Sequence, residues 1–141
     1  MTNEAQNSQT LDTGLACFAI MANFFEKPIS IDQIKHKYDR QNSYFEEYEL
    51  LQLAKEFSFK ARFVETKLER LDKTNLPAIA QSKDNTYFII GKVAEDKVLI
   101  QDPAKGNHPE VLSKEEFMNR WNGRLLMMTC RESVSYTHLT L

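Results

Sequence analysis

Apolar residues recur every three or four positions in the stretches between Leu15 and Phe57 and then fall into alternation. Leu15, Phe18, Ala19, Ala22 and Phe25 share that helical spacing, which predicts an amphipathic helix opening near Thr13 or Gly14. Asp12 stands at its cap position. Lys27-Pro28 closes the helix, because proline cannot extend the hydrogen-bond ladder. Ser30 with Gln33 forms a capping-box pair that starts a second helix, with Ile31, Ile34 and Tyr38 inward, stopping near Asp39. A polar turn at 40–43 leads to a third stripe over 46–57, carrying Leu50, Leu51, Ala54 and Phe57.

Past residue 57 the period changes. Phe59, Ala61 and Phe63 alternate with Lys60 and Arg62, which predicts a half-buried strand, followed by a short helical turn at 68–71 and a brief apolar strand at 76–80. Residues 86–93 and 97–101 read as a hairpin across the turn Ala94-Glu95-Asp96, with Phe88, Ile89, Ile90, Val98, Leu99 and Ile100 buried. Asp102-Pro103-Ala104-Lys105-Gly106 is turn chemistry. Ser113 and Glu116 form another capping box, opening a helix through Phe117 and Trp121, and 124–129 is a last strand. Helices first and antiparallel strands after predict an α+β domain with a helical layer against a mainly antiparallel sheet. Phe24, Phe25, Phe57 and Phe59 are expected in its core.

A chain of 141 residues, 42% hydrophobic, fits one domain with a single sizeable core. Eighteen basic against 20 acidic residues leave a net charge of −2, which gives no electrostatic case for nucleic acid or an anionic membrane as main partner. Cys17 and Cys130 read as two buried thiols in a reducing compartment. Residues 1–10 are polar and flexible in this reading, with no signal peptide. The apolar-rich run at 15–25 falls short of the ~20 residues of a membrane span, so the fragment is expected to be soluble and cytosolic. The final stretch, VSYTHLTL at 134–141, breaks the preceding pattern and resembles translated library adapter; it is set aside as foreign, with His138.

A cysteine in the first turn of a helix is a good thiolate generator, because unpaired N–H groups and the helix dipole favour negative charge there. A histidine across the groove takes the thiol proton, and a third side chain orients that histidine. The chain carries the scaffold for such a triad in order: DTGLAC at 12–17, IKHKYD at 34–39, LPAIA at 76–80, YFII at 87–90, DPA at 102–104 and FMNRWNGRLLMMT at 117–129. Together these stretches resemble the papain-like bacteriocin-processing peptidase domain, the double-glycine-leader peptidase of peptide-exporting ABC transporters. The resemblance is stronger to its degenerate cousin at the N-terminus of haemolysin-type, type I secretion exporters. It runs over 11–133 and implies a papain-like fold.

Two departures from the family's pattern then matter. The nucleophile position holds Thr13, with Cys17 matching the family's second, non-nucleophilic cysteine, and the position of the catalytic histidine holds Tyr87. Asp102 alone remains of the triad, and the glutamine of the oxyanion region falls on Asn7 with Gln6 beside it. A threonine hydroxyl needs a base within reach, and tyrosine, with an unperturbed pKa near ~10, is a proton donor at neutral pH. The resemblance therefore implies a pseudo-peptidase rather than an enzyme, with Thr13, Gln81, Tyr87 and Asp102 as substrate-binding positions.

Cys17 lies one turn inside the helix among Ala16, Phe18 and Ile20, which makes it a core thiol. His36, in a Lys-His-Lys run, belongs to a solvated face; His108 has no second ligand at metal spacing, so no metal site is expected. Tyr87 is either an ordinary strand aromatic or a groove plug bonding toward Asp102 and Thr13. Asp102 is either a turn cap or a triad remnant, and Trp121 either core or a partial surface anchor.

The functional expectation follows from the resemblance. It is a catalytically inactive domain on the cytoplasmic face of the bacterial inner membrane, holding an unfolded secreted protein of the repeat-in-toxin type before export. The competing readings are a leader peptidase using Thr13 or Cys17, and a regulatory interaction domain. The implied partners are the secreted protein and the remaining membrane and nucleotide-binding portions of the transporter. No cofactor is expected in this domain, while ATP and Mg belong to the full-length transporter.

Overall fold

In the computed structural model, residues 12–38, 45–106 and 108–130 are described. The terminal segments 1–10 and 134–141, with Gln6, Asn7 and His138, lie outside them, as does the polar turn at 40–43.

Helix α1 (Thr13–Phe24) starts where its cap predicts: Asp12 Oδ1 accepts the Leu15 N–H over 3.1 Å. Its first half is buried all round, from Thr13 to Phe18 and again at Met21 and Ala22. That corrects the amphipathic expectation, since a helix enclosed on every side needs small and apolar residues on every face. The helix ends at Phe24, and Glu26 takes a positive φ of 64°, turning the chain away before Pro28. Phe24 is 58% exposed, contrary to its predicted core place: it stands in the last turn, and Phe25 packs inward in its stead. Helix α2 (Ile31–Tyr38) is opened by Ser30 Oγ, which accepts the Gln33 N–H, and it buries Ile34. Helix α3 (Glu47–Glu56) carries a capping box between Glu46 and Glu49 and buries Leu50, Leu53 and Ala54.

The sheet contains β1 (Phe59–Glu65), β2 (Ala78–Ser82), β3 (Tyr87–Val93), β4 (Lys97–Gln101), β5 (Pro109–Ser113) and β6 (Trp121–Cys130). Their order is β1-β6-β2-β3-β4-β5, every neighbour antiparallel. Short 3-10 turns cover Leu68–Lys73 and Pro103–Lys105, and α4 (Lys114–Arg120), capped by Ser113 and Glu116, joins β5 to β6. Two strands differ from expectation. β5 was not anticipated, because proline opens it and only Leu112 is buried; its pairing with β4 defines it. β6 begins at Trp121 rather than 124, drawn into the ladder by pairing with Ser82.

Alternation along the strands divides the core between the two faces of the sheet. On one face, Phe59, Ile79, Tyr87, Ile89, Leu126 and Met128 pack against α1, α2 and α3. On the other, Ala78, Ala80, Phe88, Ile90, Val98 and Ile100 are covered by Leu71, Phe117 and Trp121. The predicted single helical layer is therefore only half of the arrangement. Each fully buried leucine or phenylalanine contributes about 1.5–3 kcal/mol relative to exposure. Trp121 resolves to core, with its indole N–H donated to the Arg124 carbonyl over 2.9 Å. Cys17 and Cys130 are buried free thiols, and no described helix is long and apolar enough to cross a membrane.

Candidate functional site

The first turn of α1 abuts the start of β3. Thr13 Oγ1 accepts the backbone N–H of Tyr87 over 3.0 Å. Gly14 permits the approach: a Cβ there would stand 3.0 Å from the Phe45 carbonyl oxygen and 3.2 Å from the Leu50 and Tyr87 side chains. Asp12 serves both sides of the junction, capping α1 with one oxygen and accepting the Phe45 N–H over 2.7 Å with the other. Burial raises its carboxyl above the ordinary value, outweighing those hydrogen bonds.

Tyr87 is buried, and its hydroxyl meets Gln81 Nε2 at 3.3 Å, while Gln81 Oε1 accepts from Asn122 Nδ2 at 2.7 Å. Burial, then the charge of Glu47, pushes the Tyr87 phenol up to about 12, so it keeps its proton at neutral pH. Glu47 is held in turn by Arg124 over 2.8 Å.

These elements border an open groove of about 700 Å³. One wall is the first turn of α3, with Glu46, Glu47, Tyr48 and Glu49; another is the β2–β3 turn, with Asp84, Asn85 and Thr86. Thr13, Gly14, Phe45, Gln81 and Tyr87 lie between them, with Asp12 beneath. Three of the four expected binding positions, Thr13, Gln81 and Tyr87, are thus brought together.

Asp102 does not join them. Its Oδ1 caps the second 3-10 turn by accepting the Ala104 N–H over 2.9 Å, and its Oδ2 pairs with Arg120. Arg120 lies 5.0 Å from the centre of the Phe88 ring. The Tyr87 hydroxyl therefore turns to Gln81, and only its backbone reaches Thr13. Cys17 is fully buried, and burial, followed by the charges of Asp102 and Asp12, raises its thiol well above the ordinary value. His36 and His108 are exposed and neither lines the groove. Among the described residues no cluster of side chains is suited to a metal ion.

Sequence reasoning missed the walls. Glu46, Glu47 and Glu49 fall within the third helical stripe, and Asp84 carries no sequence reading; the acidic run at 46–49 was the available sign, but nothing local places it in one groove with residue 84.

Comparison with known proteins sets this chain in a family. The sequence profile of the Peptidase C39 family matches residues 2–133. Over 128 residues the chain is 33% identical to the exotoxin translocation ATP-binding protein PaxB of Pasteurella aerogenes; the match covers 89% of this chain and 18% of PaxB, so the chain spans under a fifth of that relative. The peptidase domain of Streptococcus ComA, a bi-functional ABC transporter of a quorum-sensing pathway, shares the fold with a TM-score of 0.76 at 20% identity, covering 85% of this chain and 92% of that one. A double glycine motif protease from an AMS/PCAT transporter, solved with its leader peptide, gives a TM-score of 0.68 at 22% identity, over 83% of each chain.

These findings overturn the expectation that the chain is not an enzyme. The family matched across nearly its whole length is a peptidase family, and structures of the same fold are peptidase domains. The side-chain types at positions 13 and 87 do not by themselves carry the opposite conclusion, since a threonine hydroxyl is itself among the nucleophiles of covalent catalysis. The chain belongs to the Peptidase C39 family.

Proposed function

We propose that this domain binds an extended segment of a protein exported by a toxin-type ABC transporter, in the groove between the first turn of α3 and the β2–β3 turn. The observation that carries this reading is the groove itself, with Thr13, Gln81 and Tyr87 gathered in it at the start of α1 and β3. The likeness to PaxB, an exotoxin translocation protein, supports the transporter context, and a protease of the same fold was solved with its leader peptide bound.

The groove suits an unfolded ligand. An extended chain presents backbone donors and acceptors at regular spacing, and the Gln81 amide and Tyr87 phenol offer partners beside the buried Phe45. Ordering the ligand costs conformational entropy, which keeps binding weak and tolerant of sequence. That is useful in a tether that must release its cargo. In this proposal the domain works at the cytoplasmic face of the inner membrane, and ATP and Mg act in the remaining portions of the transporter.

The test is a titration of the isotope-labelled chain with a repeat-in-toxin fragment, unfolded without calcium and then folded with it, followed by NMR. Shifts at Gly14, Gln81, Thr86 and Tyr87 with the unfolded form alone support the reading; equal or absent shifts with both forms reject it.

Family membership favours a second reading, hydrolysis of a leader peptide in the same groove. Cys17 is fully buried, which leaves Thr13 as the candidate nucleophile. Incubation with double-glycine leader peptides and mass spectrometry tests it: product lost in Thr13→Ala supports this reading, and the absence of product rejects it.

A further inference from the structure

We infer that the segment held by the groove presents a lysine or arginine side chain between its two walls; this rests on the groove being the peptide site. Four carboxylates stand on the walls, Glu46, Glu47 and Glu49 on α3 and Asp84 on the β2–β3 turn, with Asp12 beneath them. Among the described residues no lysine, arginine or histidine lines the groove. A chain with a net charge of only −2 therefore concentrates negative charge at one concave surface.

Local structure explains part of this, since acidic side chains suit the start of a helix. Glu46 and Glu49 form the capping box of α3, and Glu47 pairs with Arg124. Helix capping does not account for Asp84, which lies on the other wall in a turn where it accepts the Thr86 hydroxyl at 2.7 Å. Glu47 and Glu46 add to the effect of burial in raising the Tyr87 phenol, with Arg124 opposing them. An anionic side chain placed here meets carboxylates on two sides. A long cationic one lays its alkyl stem along the rings of Tyr87 and of Tyr48, which is 66% exposed, and carries its head to the carboxylates.

The experiment uses the full chain and three capped ten-residue peptides, identical except for a central lysine, norleucine or glutamate, read by fluorescence anisotropy at low and high salt. The expected result is a preference for the lysine over the glutamate peptide of about tenfold at low salt, falling toward parity as salt shortens the screening length. Asp84→Asn and Glu47→Gln should each reduce that preference, and a circular dichroism spectrum unchanged in each variant separates lost charge from lost fold. Binding of all three peptides with equal affinity overturns the charge inference and leaves the groove standing. Binding of none overturns both.

Discussion

Thr13 and Tyr87, 74 residues apart in sequence, are joined by one buried hydrogen bond in which the Tyr87 backbone N–H donates to Thr13 Oγ1 over 3.0 Å. The bond fixes the first turn of α1 against the first residue of β3. The two positions singled out by the family resemblance are thus structurally coupled, and the hydroxyl at position 13 serves as an acceptor as well as lining the groove.

Thr13→Val should destabilise the domain by about 1–3 kcal/mol, the cost of removing the acceptor from a buried N–H. Thr13→Ser retains the oxygen and should lose much less. Urea unfolding of the two variants checks this; equal midpoints would show that the bond contributes little.

Tyr87 should titrate at about 12. The folded value lies above the ordinary 10.0, so the folded state holds the proton where the unfolded chain releases it. Its contribution to stability is present below pH 10 and is lost as pH rises through about 12. Phenolate absorbance should lose its component at about 12 in Tyr87→Phe; an unchanged curve would contradict the assignment.

Asp12 shifts in the same direction at the acid end, by burial. Its contribution is fully present below the ordinary 3.8 and is lost as pH rises through its higher folded value. Asp12→Asn removes that dependence, so the stability of wild type relative to the variant should decline as pH rises across this window. A flat or rising difference, measured by urea unfolding at several pH values, would count against the burial account.

Arg120→Ala leaves the Asp102 carboxylate, 7% exposed, without its cationic partner. Breaking a fully buried pair costs about 3–5 kcal/mol, and because the arginine side chain is 25% exposed a smaller loss of about 2 kcal/mol is expected. Thermal unfolding measures it. A loss confined to Asp102→Ala, with Arg120→Ala neutral, would show that the turn cap, and not the ion pair, is what matters.

The parts legible in sequence are those set by neighbours in the chain. Asp12, Ser30 and Ser113 cap helices because each side chain reaches an N–H three residues on, and the apolar runs around Phe88 and Val98 across the turn at 94–96 mark a hairpin. What was not legible depends on partners distant in sequence. The burial of α1 on every side comes from the sheet and two other helices, β5 exists through its pairing with β4, and Asp102 meets an arginine 18 residues away. The groove was half legible: Thr13 and Tyr87 were marked by their departures, whereas the walls became visible only through folding. The non-enzyme expectation failed for a related reason, since it rested on two residue types and not on the chain as a whole.

The most direct measurement of peptide binding in the groove replaces one exposed residue at a time by a photo-reactive phenylalanine analogue and adds an unfolded toxin-type segment. Tyr48, on the groove wall, and Val111, on the edge strand β5, are 66% and 59% exposed, so both positions are accessible. Peptide binding in the groove predicts strong crosslinking from position 48 and little from 111. Crosslinking from 111 alone, or equal yields from both, would contradict it.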